Sequence, residues 1–166
     1  MAENTSQIII YQNENGETKL EVRFQDETVW LTQKLMAELF QTSVPNINIH
    51  LKNIFEEGEL AENRTIKDFL IVQKEGAREV KRKQVFYNLD AIISVGYRIK
   101  SNVATKFRQW ATSQLREYIV KGFALNDDRF KTGNSMNYFN ELQERIREIR
   151  ISERFFYQKI KDIYTT

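Results

Sequence analysis

The sequence predicts an α+β fold, mainly α: a winged helix-turn-helix with an N-terminal β-hairpin, followed by a helical segment and a long C-terminal helix. Three observations predict it. Leu31–Leu51, LTQKLMAELFQTSVPNINIHL, reads as two short helices joined by a tight turn. Two β-rich runs, IKDFLIVQ and VKRKQVFY, follow around a polar tip. An apolar seam that alternates steps of three and four residues begins at Phe139.

The elements follow in chain order. Gln7–Gln12 (QIIIYQ) is β-rich and Thr18–Phe24 (TKLEVRF) alternates apolar with polar residues. Asn13-Glu14-Asn15-Gly16-Glu17 between them has hairpin chemistry, because Asn-Gly tolerates positive φ. Thr32 then caps the first helix, with Leu35, Leu39 and Phe40 inward and the small Ala37 where a second helix crosses. Gln41-Thr42 makes the turn. Ser43 caps the second helix by accepting a backbone N–H bond, and Pro45 fits its first turn, where N–H groups lack intrahelical partners. Ile47, Leu51 and Ile54 face the core at i, i+4 and i+7, and Gly58 supplies the left-handed stop.

Ile66–Gln73 and Val80–Tyr87 are the two strands of the expected wing, with a polar tip from Lys74 to Glu79. Asn88 caps a helix to about Ile99. Ser101 or Asn102 caps the next, which runs to about Lys121 and stops at Gly122. Its stripe of Val103, Phe107, Trp110, Ala111, Leu115, Tyr118 and Ile119 is expected in the core. Residues 1–125 therefore form the winged-helix region with its helical extension, 126–134 a polar linker, and 135–166 a long helix capped by Ser135. The seam of that helix is Phe139, Leu142, Ile146, Ile149, Glu153, Phe156, Ile160 and Ile163, a heptad pattern that predicts a homodimer. Glu153 is its one charged position. The seam runs to the last residues, which suggests a piece of a longer protein with a fused or associated effector.

Charge is uneven along the chain. The net +2 over 166 residues resolves into −6 for residues 1–73, +6 for 74–108 and +2 for 109–166. A local basic block beside a candidate reading helix is the electrostatic footprint of a nucleic-acid binder. Ser43, Pro45, Asn46, Asn48 and Ile49 are the expected base-reading residues, with amides and small apolar groups suited to base edges in a major groove. Thr32, Lys52, Lys74, Arg78, Lys81, Arg82, Lys83, Arg98 and Lys100 are the expected phosphate contacts on double-stranded DNA. Lys and Arg on a strand edge also guard it from aggregation, so the wing charges have a second reading. The rival role for the whole chain is a protein assembly module with no DNA binding of its own.

Several segments resemble a known family. VWLTQKLMAELF, NIHLKNIFEEGEL, VFYNLDAIISVGYRIKSNVATKFRQWAT and YIVKGFALNDDR look like the N-terminal part of the bacterial virulence RhuM family. The likeness spans nearly all of Ile8–Thr166 and is most specific in Tyr87–Arg129. The FRQW element is also similar to Bro-N type phage and viral DNA-binding regions. The resemblance implies a DNA-binding N-terminal region of a longer protein tied to mobile or pathogenicity regions. It carries no catalytic residues. In the reading helix Val44-Pro45 and Ile49 are less polar than the family's habit.

The residue inventory argues against chemistry in this chain. One histidine, His50, and no cysteine exclude His/Cys zinc sites and Cys–His nucleophiles. No phosphate-binding glycine loop occurs. Asp127-Asp128 are loop neighbours that seldom converge on one ion. The expectation is therefore no enzyme, no cofactor and no metal. The lack of cysteine fits a reducing cytoplasm, and the apolar runs are too short for a membrane span.

Overall fold

The computed structural model describes residues 5–7, 21–131 and 136–164. It is α+β and mostly helical. The chain divides into two compact units, Met1–Arg116 and Glu117–Thr166.

The first unit opens on a three-stranded antiparallel sheet in the order β1 (Thr5–Gln7), β2 (Glu21–Gln25), β3 (Thr28–Trp30). β1 pairs with β2 (Thr5 opposite Arg23), so the two-strand expectation holds in part. The Asn13–Glu17 turn and most of QIIIYQ lie outside the described residues. β3 is an addition. Asp26 and Glu27 both take positive φ, 55° and 58°, as the two central residues of a type I′ turn must, and fold Val29-Trp30 back as a strand. No Asn-Gly signal announces that turn.

α1 (Gln33–Leu39) and α2 (Val44–Glu56) follow. Thr32 accepts the Leu35 N–H at 3.2 Å and Ser43 accepts the Asn46 N–H at 3.3 Å. Between them Gln41 has φ 49°, and Thr42 N–H reaches back to Ala37 C=O at 2.9 Å, which closes the first helix. Met36, Ala37, Leu39, Phe40, Ile47, Leu51 and Ile54 are all buried, whereas Leu35 is only half-buried. Gly58 has φ +72°, the stop that the sequence forecast.

A short helix α3 (Glu62–Thr65) leads into the hairpin of β4 (Ile66–Glu75) and β5 (Arg78–Tyr87). The strands are longer than forecast and the tip is only Gly76-Ala77, with Gly76 at φ 62° where a type II′ turn needs it. Lys74 and Arg78 therefore belong to the ladder and not to a loop. Leu31 exchanges both backbone hydrogen bonds with Tyr87, at 2.9 and 2.8 Å, which ties the base of the hairpin to the end of β3.

This junction has two faces. Val29, Leu31, Ile66 and Tyr87 join the helical core of α1, α2 and α4 (Leu89–Arg98). On the reverse face Trp30, Phe69 and Phe86 form a second small core, packed edge to face at centroid distances of 5.7 and 5.1 Å. Lys67 lies over the Trp30 and Phe69 rings and pairs with Asp26 at 2.6 Å.

α4 starts from Asn88, whose side chain accepts the Ala91 N–H at 3.1 Å and donates to Arg64 C=O at 3.3 Å. α5 (Asn102–Lys121) starts from Ser101, whose hydroxyl donates to Phe40 C=O at 2.7 Å and accepts the Ala104 N–H at 3.0 Å. Only Val103, Ala104 and Phe107 of α5 are buried; Trp110, Leu115, Tyr118 and Ile119 are exposed. The forecast that the whole stripe enters the core is corrected, because the helix runs past the end of the elements it packs on.

In the second unit α6 (Asp127–Lys131) occupies part of the expected linker, and α7 (Met136–Tyr164) is the long helix. No helix among the described residues is long and apolar enough to cross a membrane.

Candidate nucleic-acid interface

α2 is anchored on one side and open on the other. Ile47, Leu51 and Ile54 hold it in the core, while Ser43, Val44, Pro45, Asn48, Ile49 and Lys52 are exposed. Ile49 is 57% exposed. Asn46 differs from the other reading candidates: it is half-buried, and its amide nitrogen donates to Thr42 Oγ1 at 2.9 Å. Among the reading candidates the exposed amide is thus Asn48. Lys52 pairs loosely with Glu56 one turn on, at 3.5 Å.

Strand register sorts the cations of the β4–β5 hairpin. Partners across an antiparallel ladder share a face and neighbours along a strand alternate. Leu70 opposes Lys83, Val72 opposes Lys81 and Lys74 opposes Glu79. Lys74, Lys81 and Lys83 therefore stand on one face, together with exposed Leu70, Val72 and Val85 and the acids Asp68 and Glu79. At its base this same face carries Ile66 and Tyr87 into the core beneath α2. Arg78 and Arg82 stand on the reverse face, above Phe69 and Phe86, where Arg82 pairs with Glu75. The cluster that looks single in sequence is divided by the pleat.

Two expected phosphate ligands are placed otherwise. Thr32 is buried, with its hydroxyl turned to the Leu35 amide, so it presents nothing to a phosphate. Arg98 grips Glu57 through both carboxylate oxygens, at 3.1 and 2.5 Å, and also Glu59. These hydrogen bonds lower the pKa of both acids and raise that of Arg98. The guanidinium is a clasp between the end of α4 and the end of α2. Lys100 is exposed. His50 is half-buried, and burial first, then the nearby Arg98 charge, lowers its pKa, which favours the neutral ring.

The GYRI and FRQW segments have a structural explanation. A Cβ on Gly96 would stand 2.6 Å from Phe107 Cε1 and 2.9 Å from Phe40 Cζ. The glycine lets Phe107 wedge between α4 and the turn after α1, at 5.6 Å from the Phe40 ring. Arg108 then donates to the C=O groups of Gly96 and Ile99, at 3.1 and 2.7 Å, and so satisfies carbonyls at the end of α4. The exposed Leu70, Val72 and Val85 are what the sequence reading missed; their alternation with the lysines was visible, but not which face would stay bare.

Two helices joined by a short turn, a β-hairpin and a long terminal helix define an α+β, mainly helical chain. It belongs to the virulence protein RhuM family, whose model matches residues 64–166. The match covers the hairpin and the helices after it, and begins beyond α1 and α2. No curated protein and no solved structure matches the chain.

Proposed function

We propose that this RhuM-family chain is a DNA-binding region of a bacterial regulatory or defence-associated protein, a winged helix-turn-helix that dimerises through α7. The observation that carries the reading is α2. A capped helix stands directly after a tight turn, fixed by three buried aliphatics, and leaves Val44, Pro45, Asn48, Ile49 and Lys52 open to solvent. Such a face suits a major groove, with Asn48 on a base edge and the apolar groups on thymine methyls. Ser43 and Pro45 border it at the helix start, and Asn46 holds the turn. Lys52, Lys74, Lys81 and Lys83 reach phosphates, with Lys100 beside them; Arg78 serves backbone from the far face of the wing, where Arg82 is held by Glu75.

Fluorescence anisotropy on a random duplex at low salt tests the reading. Six cation–phosphate contacts give a slope of log K against log salt of about −5. Lys81→Glu with Lys83→Glu weakens binding to every sequence. Asn48→Ala instead relaxes preference between sequences, by about 1–3 kcal/mol at one position. No binding at tens of micromolar overturns the proposal.

One observation favours a protein partner instead. Leu70 (61% exposed) and Val72 (53%) lie among the wing lysines, and apolar groups add nothing to a phosphate contact. Absent or salt-insensitive DNA binding combined with self-association supports that assembly role.

A further inference from the structure

The α7 seam is bare. Phe139, Ile146, Ile149, Phe156 and Ile163 are all exposed, Ile149 by 66% and Ile163 by 71%. Ile151, Phe155 and Tyr157 are exposed off the stripe as well, so it is the unbroken three-four spacing of the seam, along a 29-residue helix, that marks it as a surface to be covered. The occupant is a second copy of α7, which rests on the dimer proposed above, and that dimer leaves the helix direction open.

We infer that two α7 helices pair antiparallel, in a register that sets Phe139 against Ile163 of the second copy. The seam steps run three, four, three, four, three, four, three, so the pattern reads the same from either end. Reversal leaves every seam residue facing another: Leu142 meets Ile160, Ile146 meets Phe156, and Ile149 meets Glu153. Two features of the side chains select this direction over the parallel one. In a parallel pair Glu153 faces Glu153, two like charges in one apolar layer. In the antiparallel pair Glu153 faces Ile149 and lies beside Arg150 of the other helix, so the two Glu153 and two Arg150 near the midpoint balance. Outer flanks do not choose: a parallel pair sets Arg150 beside Arg145 of the other helix, and an antiparallel pair sets Arg145 beside Lys159, so the direction rests on Glu153 and on size. In either direction Arg145 keeps its own partner, Glu141, at 2.9 Å on the same helix. Size agrees with charge. Antiparallel pairing sets each phenylalanine of the seam against an isoleucine, whereas parallel pairing stacks Phe139 on Phe139 and Phe156 on Phe156; large against small fills a layer better. The two chains then enter the rod from opposite ends, about 40 Å apart at 1.5 Å per residue.

The chain has no cysteine, so a single introduced thiol carries one spin label per copy. Dipolar distances are read on the full chain labelled at Ser152→Cys and, separately, at Asn140→Cys. The antiparallel pair gives a short distance at 152, near the midpoint, within about 20 Å. At 140 it gives a long one, about 33 Å along the axis. Short distances at both positions mean a parallel pair and overturn the direction while leaving the dimer. No coupling at 152 overturns the α7 dimer itself. Arg150→Glu separates the same alternatives: it raises the dimer dissociation constant if the helices are antiparallel and lowers it if they are parallel.

Discussion

Up to Arg116 the large apolar side chains are mostly inside; from Glu117 onward they are mostly outside. Leu31, Met36, Ile47, Ile54, Ile92 and Val95 have essentially no contact with solvent, whereas Ile119, Ile149 and Ile163 are each more than 60% exposed. Both regions contain well-formed helices with apolar stripes at the proper period. The difference is one of cover. The apolar stripes of α1, α2 and α4 meet in one buried cluster and close on one another. The distal turns of α5 and all of α7 have helical stripes without a matching surface in their own unit. Amphipathic pattern therefore specifies that a face will be buried, not by what. The first unit is stabilised within one chain; under the α7 pairing proposed above, the second gains its cover only as concentration rises.

The contrast can be broken most severely from within the first core. Ile47→Ala, at a site with no exposure, should lower unfolding free energy by about 2–5 kcal/mol, read from the urea midpoint. Ile149→Ala on α7 should leave that transition in place and weaken self-association in sedimentation. If Ile149→Ala lowers the first transition as much as Ile47→Ala does, the two regions are one cooperative body and the contrast fails.

Gly96→Ala should cost about 1–3 kcal/mol, because the new methyl meets Phe107 and Phe40 inside contact distance. A smaller Phe107 side chain, Phe107→Leu, should recover part of that loss in the double variant, a coupling that thermal melts of the four proteins would expose. Asn88→Ala comes next, at about 1–2 kcal/mol, since it removes a buried helix cap.

The pH dependence should be smallest. The folded state lowers the pKa of His50 from 6.5, so below that value the unfolded chain binds the extra proton first. The stability tied to the neutral ring is present above pH 6.5 and is lost as pH falls through the lower folded value. His50→Gln should flatten this limb of the urea midpoint against pH. Glu57 and Glu59 add a second loss below about pH 4.5, again because their folded pKa values are depressed, and Arg98→Gln should remove it. Neither change should alter the assembly of α7.

Much of this was legible in the chain. The caps Thr32, Ser43 and Asn88 are where a short polar side chain precedes an apolar period, and each accepts the N–H three residues on. The inward triplet of α2 followed from spacing alone. β3 was not legible, since its turn uses Asp26-Glu27 in a conformation that those residues seldom adopt. Nor was the fate of the charges. Arg98, Arg82 and the three lysines of the β4–β5 hairpin look equivalent in sequence. Arg98 is taken by two glutamates at and just beyond the end of α2, 41 and 39 residues earlier, and Arg82 by Glu75.

By itself the sequence determined where α1, α2, α4 and α5 start and which side of each would seek a core, because caps and periodicity act over a few residues, whereas the short α3 and α6 went unannounced. It also carried the RhuM likeness. Only the tertiary structure decided which apolar stripes found a neighbour, which face of the hairpin took each cation, and which arginine was spent on a carboxylate. Those outcomes depend on contacts between residues far apart in the chain, and local pattern holds no record of them.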